Sequence, residues 1–594
     1  MIWNFCIRRP VFTVVIFLVV AVFGIFGYRQ MPVREYPDIE FPVVNVSVIL
    51  RGADPEVIET EVVEPLEEEL NTIEGIKTIR STSREEVGTV TVEFELYRDI
   101  DIAAQDVRDR VARARPDMAD GIEEPIVRKV DPDARAVMWI ALTGSDRWDP
   151  VRITGYAEDN IKERLEGLPG VGQILIGGER RYAVRIRLDP LKLAAHRLTV
   201  QDVVRTVREE NVDIPSGRVE SEMREFLVKT QGQFSAAEPF NDLILAYREG
   251  APVRLSDVGR AVDGVENDRT AARFVGEPSV GLGVVKQSDA NMVALVERVR
   301  ERMAVIAADF PPGLRYRIAS DDSQYVSQNI ADLLRTIFLA TVLVVAVILV
   351  FLGTLRGTLI TSIAIPTSLL GGFAIIFYLD FSLNVLSMLG LILVIGIVVD
   401  DAIVVLESCF RHMEKGAAAR PAARTGTTEI AFAAIANTLS LAAVFIPVAF
   451  MPGLIGRFFF EFGLTVAATL FVSTFTALTL TPMLCSRFLK RPDPEQAPRW
   501  QRWTDSAFQK AETIYRRLLG AALSHRWVTV LAGVGAFAGG LYIFTLLDTE
   551  FTPSVDRGEF VVSFETVEGA SLAATDRYAR RIEAVFDTIP EIRT

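Results

Sequence analysis

Hydrophobic and polar residues are arranged on two length scales along this chain. On the longer scale, seven mostly apolar runs stand at residues 11–27, 336–353, 358–379, 383–407, 430–451, 462–484 and 527–547. Each is about 17 to 25 residues long, enough to cross a hydrocarbon core of about 30 Å. On the shorter scale, the segment between the first two runs shows strand and helix periods. Residues 43–50 (VVNVSVIL) are β-rich, 54–73 form an acidic helical stretch, and 89–95 (TVTVEFE) alternate strictly, as a half-buried strand does. A second round follows: 136–142, a helix over 150–168, then strands near 173–176 and 182–188 that read as a pair. Two rounds of strand, helix and paired strands predict βαβ-type subdomains. The expected fold is a polytopic α-helical membrane protein with a large α+β insertion.

Lys and Arg in short flanks stay on the cytoplasmic side. Arg8 and Arg9 precede the first run, Arg356 lies between the second and third, and Arg411, Lys415, Arg420 and Arg424 lie between the fourth and fifth. The sixth-to-seventh connection is rich in both, whereas the other short connections are nearly free of them, Arg457 excepted. The first run is followed by Tyr28, Arg29 and Gln30 rather than a small-residue cleavage site, so it reads as a retained anchor. The expected organisation is a cytoplasmic N-terminus and first helix (1–27), an exported region (28–335), helices two to six (336–484), a cytoplasmic linker (485–526), a seventh helix (527–547) and the start of a second exported region (548–594). In that linker 491–498 reads as a break. Trp500, Trp503, Ala507, Phe508, Ile514, Tyr515, Leu518 and Leu519 then recur at helical spacing, as in an amphipathic helix lying on the bilayer.

Composition sharpens this picture. Half of the residues are hydrophobic and the mean hydropathy is +0.27, yet 24% are charged and the net charge is −14. Residues 28–335 hold 41 Lys and Arg against 56 Asp and Glu, so the acidity belongs to the exported region. Nucleic-acid binding, which needs a clustered basic footprint, is excluded. Cys6, Cys409 and Cys485 fall at predicted cytoplasmic ends, which leaves the exported region without a disulfide framework. His196, His412 and His525 are far apart, against a histidine-based hydrolase or zinc site, and no GxxxxGK[ST] pattern marks an ATP site.

The fourth run, LGLILVIGIVVDDAIVVL, carries neighbouring acids, Asp400 and Asp401. A charged residue at the bilayer centre costs on the order of 2.5 to 3.5 kcal/mol, so such a pair needs a function. Desolvation and a like neighbour both favour the protonated carboxyl, which lets the pair take up a proton from one side and release it to the other. Adjacent helical positions diverge by about 100°, so the acids can face different helices. No Lys or Arg lies within the runs, so a counter-charge has to come from elsewhere. Two alternatives remain: solvated acids at the end of a shorter helix, or a divalent-cation site, for which the runs offer no further acids in their interiors. An aspartyl protease would place its acids on separate helices. Asn384, Asn437, Thr438 and Ser440 read as interhelical bonding groups rather than a proton path. Pro366 and Pro447 read as kinks, and Gly533, Gly535, Gly539 and Gly540 as a close-packing face.

Three stretches carry a resemblance: the opening FCIRRPVFTVVIFLVVAVFGIFGYRQMPVREYPDIEFPVVNVSVILRGADPEVIE, NVLSMLGLILVIGIVVDDAIVVLES and FTALTLTPMLCSRFLK. They resemble a resistance-nodulation-division (RND) efflux permease of the hydrophobe/amphiphile branch, and the likeness covers the whole chain. It implies that Asp400 and Asp401 are proton-relay carboxylates of a drug/proton antiporter, driven by the proton gradient without a cofactor and not an enzyme. It further implies a homotrimer in the bacterial inner membrane with periplasmic porter subdomains, a periplasmic adaptor, an outer-membrane channel and amphiphilic small-molecule substrates. Members have about twice this length in two similar halves, so the resemblance implies an N-terminal portion, with the relay's Lys partner in the other half. Gly177 stands where a pocket Phe is expected, and residues 211–240 look shorter than the family's intersubunit arm. A heavy-metal exporter and a protein-translocation or membrane-assembly factor of the same superfamily are the alternative readings.

Overall fold

A computed structural model describes residues 2–592 apart from 38, 40, 131–134, 146, 214, 222, 230, 231, 249, 288, 289, 491–498, 548–557 and 568, and omits the side chains of 215, 216 and 499–509. The chain forms two compact units. One comprises Met1–Ala134, Asn291–Val293 and Ser323–Val562, the other Arg135–Ala290, Ala294–Asp322 and Ser563–Thr594.

The first unit contains the helices that match the apolar runs. They are α1 (Pro10–Gln30), α2 (Asp322–Leu352), α3 (Leu355–Tyr378), α4 (Val385–Glu414), α5 (Ala419–Ala449) and α6 (Gly453–Phe488), followed by α7 (Arg499–Ser524) and α8 (Arg526–Phe544). All but α7 are long and apolar enough to span a bilayer. Several extend well past their apolar runs, because a helix needs polar turns to reach beyond the hydrocarbon. α3 breaks at Ile363 into Leu355–Ser362 and Ala364–Tyr378. Pro366 has no N–H to bond the Ser362 carbonyl, which accounts for the break. α4 is buried along much of its length, whereas α8 has no buried residue. α1 crosses α3 closely at Gly24, where a Cβ would lie 2.2 Å from the Leu370 carbonyl oxygen. At Gly533, Gly535, Gly539 and Gly540, by contrast, a Cβ would meet nothing within 4 Å, so these glycines do not form the packing face expected of them among the described residues. In α7 the apolar Ile514, Tyr515, Leu518 and Leu519 are exposed, while the side chains of Trp500, Trp503, Ala507 and Phe508 lie outside the described residues, as does the expected break at 491–498.

An αβ domain completes this unit. Strands β1 (Val43–Ile49), β2 (Ile76–Arg84), β3 (Val87–Phe94) and β4 (Ile126–Lys129) form one sheet in the order β2-β3-β1-β4, each pair antiparallel. β3 therefore lies between β1 and β2, which is the split-βαβ arrangement. Alternation sets its core: Val44, Val46 and Val48 of β1 and Val90, Val92 and Phe94 of β3 are buried with Leu66, Leu70, Ala103, Val107 and Val111 of the two covering helices. Residues following α1 then pair with those preceding α4. The Arg34 N–H donates to the Leu383 carbonyl at 3.1 Å, and the Leu383 N–H donates to the Pro32 carbonyl at 2.9 Å.

The second unit repeats the topology with an insertion. β5 (Ala136–Gly144) and β6 (Val171–Gly177) are its first two strands, and β7 (Tyr182–Leu188), β8 (Gly259–Val265), β9 (Glu277–Lys286) and β10 (Leu314–Asp321) follow. The sheet order is β6-β9-β5-β10. The sequence reading paired residues 173–176 with 182–188, and the structure corrects it. β6 pairs with β9, while β7 pairs with β8 in a separate two-stranded sheet. Alternation identifies a strand but not its partner, and the intervening insertion conceals β9. Gly177 lies against the ring of Trp139 from β5, where a Cβ would sit 3.1 Å from a ring carbon.

Candidate functional site

Asp400 and Asp401 lie near the middle of α4. Asn384 caps this helix, its side-chain oxygen accepting from the Ser387 N–H at 2.9 Å, while Ser387 Oγ accepts from the Asn384 N–H at 3.0 Å. The apolar sequence on either side of the acids continues the helix unbroken, so their directions follow from the helical turn. Asp401 points into the bundle and is 8% exposed. Three donors from two neighbouring helices surround it. Thr474 Oγ1 of α6 lies 3.0 Å from Oδ2, Thr438 Oγ1 of α5 lies 3.4 Å from Oδ2, and Asn437 Nδ2 of α5 lies 3.5 Å from Oδ1. The Thr438 and Thr474 hydroxyls also bond each other. Asp400 faces the other way, into a groove of about 570 Å³ between α2, α4 and α5 whose walls include Val344, Ile348, Ile403, Asn437 and Leu441. Among the described residues no ion pair engages either acid.

A threonine hydroxyl has one hydrogen, and each of these threonines has two kinds of acceptor within reach. Thr438 Oγ1 also lies 3.1 Å from the Ala434 carbonyl, and Thr474 Oγ1 lies 3.2 Å from the Leu470 carbonyl. When Asp401 is ionised, the hydroxyls can turn to it. When Asp401 carries a proton, it can donate to a threonine oxygen while the threonine hydrogen returns to its own helix backbone. The site is thus built to satisfy both protonation states.

The structure places the sequence-derived candidates as follows. Asn437 and Thr438 do bond between helices, and their partner is Asp401. Asn384 bonds elsewhere, to Glu461 of α6, and Ser440 lies on the exposed face of α5. Thr474 and Glu461 are participants the sequence reading missed. It began the sixth run at residue 462 and so counted no further acid inside the bundle. α6 in fact starts at Gly453, and Glu461 is buried at 8% exposure. The four-residue spacing of Glu461, Thr465, Thr469 and Ser473 is the signal that could have shown it.

A second cavity, of about 340 Å³, lies wholly in the other unit, between its sheet and α9 (Leu572–Phe586). Arg180, Arg273, Ser279, Asp576 and Arg580 are among its walls, and Arg273 pairs with Asp576 and, at 2.7 Å, with Glu583.

Membrane-length helices around a buried acid, combined with two split-βαβ domains, define a polytopic membrane protein. Comparison with known sequences carries this further. The chain belongs to the AcrB/AcrD/AcrF family of RND permeases, whose sequence model it matches over residues 2–594. It is 35% identical to the multidrug resistance protein MdtC of Pantoea ananatis (strain AJ13355) over 573 residues, which cover 95% of this chain and 56% of that protein. It is 35% identical to the MdtC of Pectobacterium carotovorum subsp. carotovorum (strain PC1) over 588 residues, 99% of this chain and 57% of that one. The MdtC of Photorhabdus laumondii subsp. laumondii is also 35% identical, over 558 residues. The chain spans a little over half the length of these relatives.

Proposed function

We propose that this chain is part of a proton-driven exporter of amphiphilic small molecules, resident in a bacterial inner membrane, with Asp400 and Asp401 as its proton relay. The observation that carries the reading is Asp401 itself. A buried carboxylate held by hydroxyl and amide donors, with no cation paired to it among the described residues, is costly unless its protonation changes in use. Asp400, one residue away and turned into a groove, gives the proton a second station on a different face.

Family membership supports the remainder of the reading. Residues 28–335 then act as periplasmic porter and docking subdomains, and the unit-two cavity beside α9 is a candidate substrate space. The working assembly is a trimer joined to a periplasmic adaptor and an outer-membrane channel. Relatives carrying the name multidrug resistance protein point to drug-like amphiphiles as cargo. The test is export of a fluorescent amphiphile by the full-length protein under an imposed proton gradient. Asp401→Asn or Asp400→Asn should abolish gradient-dependent export while leaving expression intact, and undiminished export in either variant would refute the relay.

A further inference from the structure

The relay raises a question of supply, since Asp401 lies deep within the bundle. Glu461 of α6 is a second buried acid, toward the N-terminal end of α4, where the residues before α4 pair with the segment after α1. Asn384 Nδ2 donates to it at 2.5 Å, and the Ser382 hydroxyl lies 3.4 Å from one of its oxygens. From Glu461 a stripe of hydroxyls runs along one face of α6 at four-residue intervals: Thr465, Thr469 and Ser473, with Thr474 beside the last. All are buried, Thr465 and Thr469 completely. Ser473 Oγ reaches across to the Val398 carbonyl of α4 at 2.9 Å, and Thr474 reaches Asp401.

One of the hydroxyls along this face is unsatisfied: Thr465 Oγ1 is fully buried and makes no hydrogen bond among the described residues. Leaving a buried hydroxyl unpaired costs about 1–3 kcal/mol, so Thr465 calls for a polar partner. Gly372 of α3 lets that helix pack closely on the middle of the stripe, since a Cβ there would sit 2.5 Å from Thr469 Oγ1.

We propose that this stripe is the route by which protons reach Asp401 from the extracytoplasmic side, with Glu461 as its loading group. The proposal rests on the relay reading of Asp401 and on the orientation that puts residues 28–335 outside the cytoplasm. Four residues of helix rise by about 6 Å, twice the reach of one hydrogen bond, so passage of a proton between rungs requires a bridging water that enters during transfer. The transfer balances simply. Protonated Glu461 releases H⁺ to the first water and becomes a carboxylate. Each water or hydroxyl accepts one proton and passes on another, and the Asp401 carboxylate ends as the neutral acid. The other charged groups toward the loading end include Arg34 and Glu35, both buried in the segment after α1, Arg457 one turn earlier on α6, and Asp380 in the turn before α4. Asp400 is the titratable neighbour at the receiving end.

The test is proton uptake into proteoliposomes containing the full-length protein and a trapped pH dye, measured with substrate present. Thr465→Val and Thr469→Val remove a hydroxyl without touching Glu461 or Asp401. Each should slow proton uptake by roughly a hundredfold, the low side of what a positioned proton-transfer group contributes. Thr465→Ser should restore it, and Glu461→Gln should match the valine variants while Glu461→Asp retains partial flux. If Asp401→Asn abolishes uptake but Glu461→Gln and both valine variants run at the wild-type rate, the route is refuted and the relay stands. If Asp401→Asn leaves uptake unchanged, the relay reading itself fails.

Discussion

At the scale of single residues, chemistry in this chain depends on which hydrogen a side chain can give and to whom. Asp401 shows this inside the bundle, and Tyr182 and Asp263 show it outside. The Tyr182 hydroxyl donates to the Asp263 carboxylate at 2.5 Å, across the β7–β8 pair, and the Ala237 N–H donates to the same oxygen at 3.0 Å. The tyrosine bond, and then the backbone one, hold Asp263 below the usual carboxylate range. The same tyrosine bond, reinforced by lost hydration, raises the Tyr182 phenol. A depressed acid stabilises the fold above its unfolded pKa of about 3.9 and loses that contribution as pH falls through its folded value. A raised phenol contributes fully below about 10 and loses its share as pH rises through its folded value. The pair should therefore be indifferent to pH between about 5 and 9. A difference ultraviolet titration of wild type against Tyr182→Phe should show one late-titrating phenol, and Asp263→Asn should bring it back toward the others.

At the scale of elements, much of this fold was legible and the exceptions are instructive. The membrane helices were visible because a bilayer demands about 20 apolar residues in a row. β1 and β3 were visible because one face of each is buried and the other is not. β9 as the partner of β6 was not visible, since a strand's pattern names no partner and an insertion separates the two in sequence. The start of α6 was hidden for a different reason. Residues 453–461 carry Gly453, Gly456, Arg457 and Glu461, so they read like a polar connection rather than the first turns of a buried helix, and Glu461 was lost with them. Thr474 lay inside the run but gave no signal, because a threonine can satisfy itself against its own helix backbone, whereas Asp400 and Asp401 stood out at once.

Packing at this scale makes two predictions. Gly24→Val puts side-chain atoms into the Leu370 carbonyl and should cost about 1–3 kcal/mol, as overpacking does. It should lower the melting temperature in detergent, whereas Gly533→Val, facing open space, should leave it unchanged. Phe94, 1% exposed in the first αβ core, should cost about 3–5 kcal/mol on change to Ala. Hydrogen exchange should then quicken across β1 and β3 while α4 and α6 keep their protection.

At the scale of the whole molecule, the architecture divides its work. The bundle buries Asp401, the acid proposed to change protonation, and the first split-βαβ domain belongs to the same unit. Within the first unit the two are joined directly. The strand-like pairing of residues 32–35 with 383–385 meets the first turn of the helix that carries Asp400 and Asp401, and the Arg457 guanidinium donates to the Leu96 carbonyl of the αβ domain. Any displacement of α4 therefore has a hydrogen-bonded path into that domain. The central claim is that the acid pair couples proton entry to export. The most direct measurement is simultaneous proton flux and amphiphile flux in proteoliposomes of the full-length protein, comparing wild type with Asp400→Asn and Asp401→Asn. The account predicts that both fluxes vanish together in each variant, and amphiphile export that persists under the same proton gradient would contradict it.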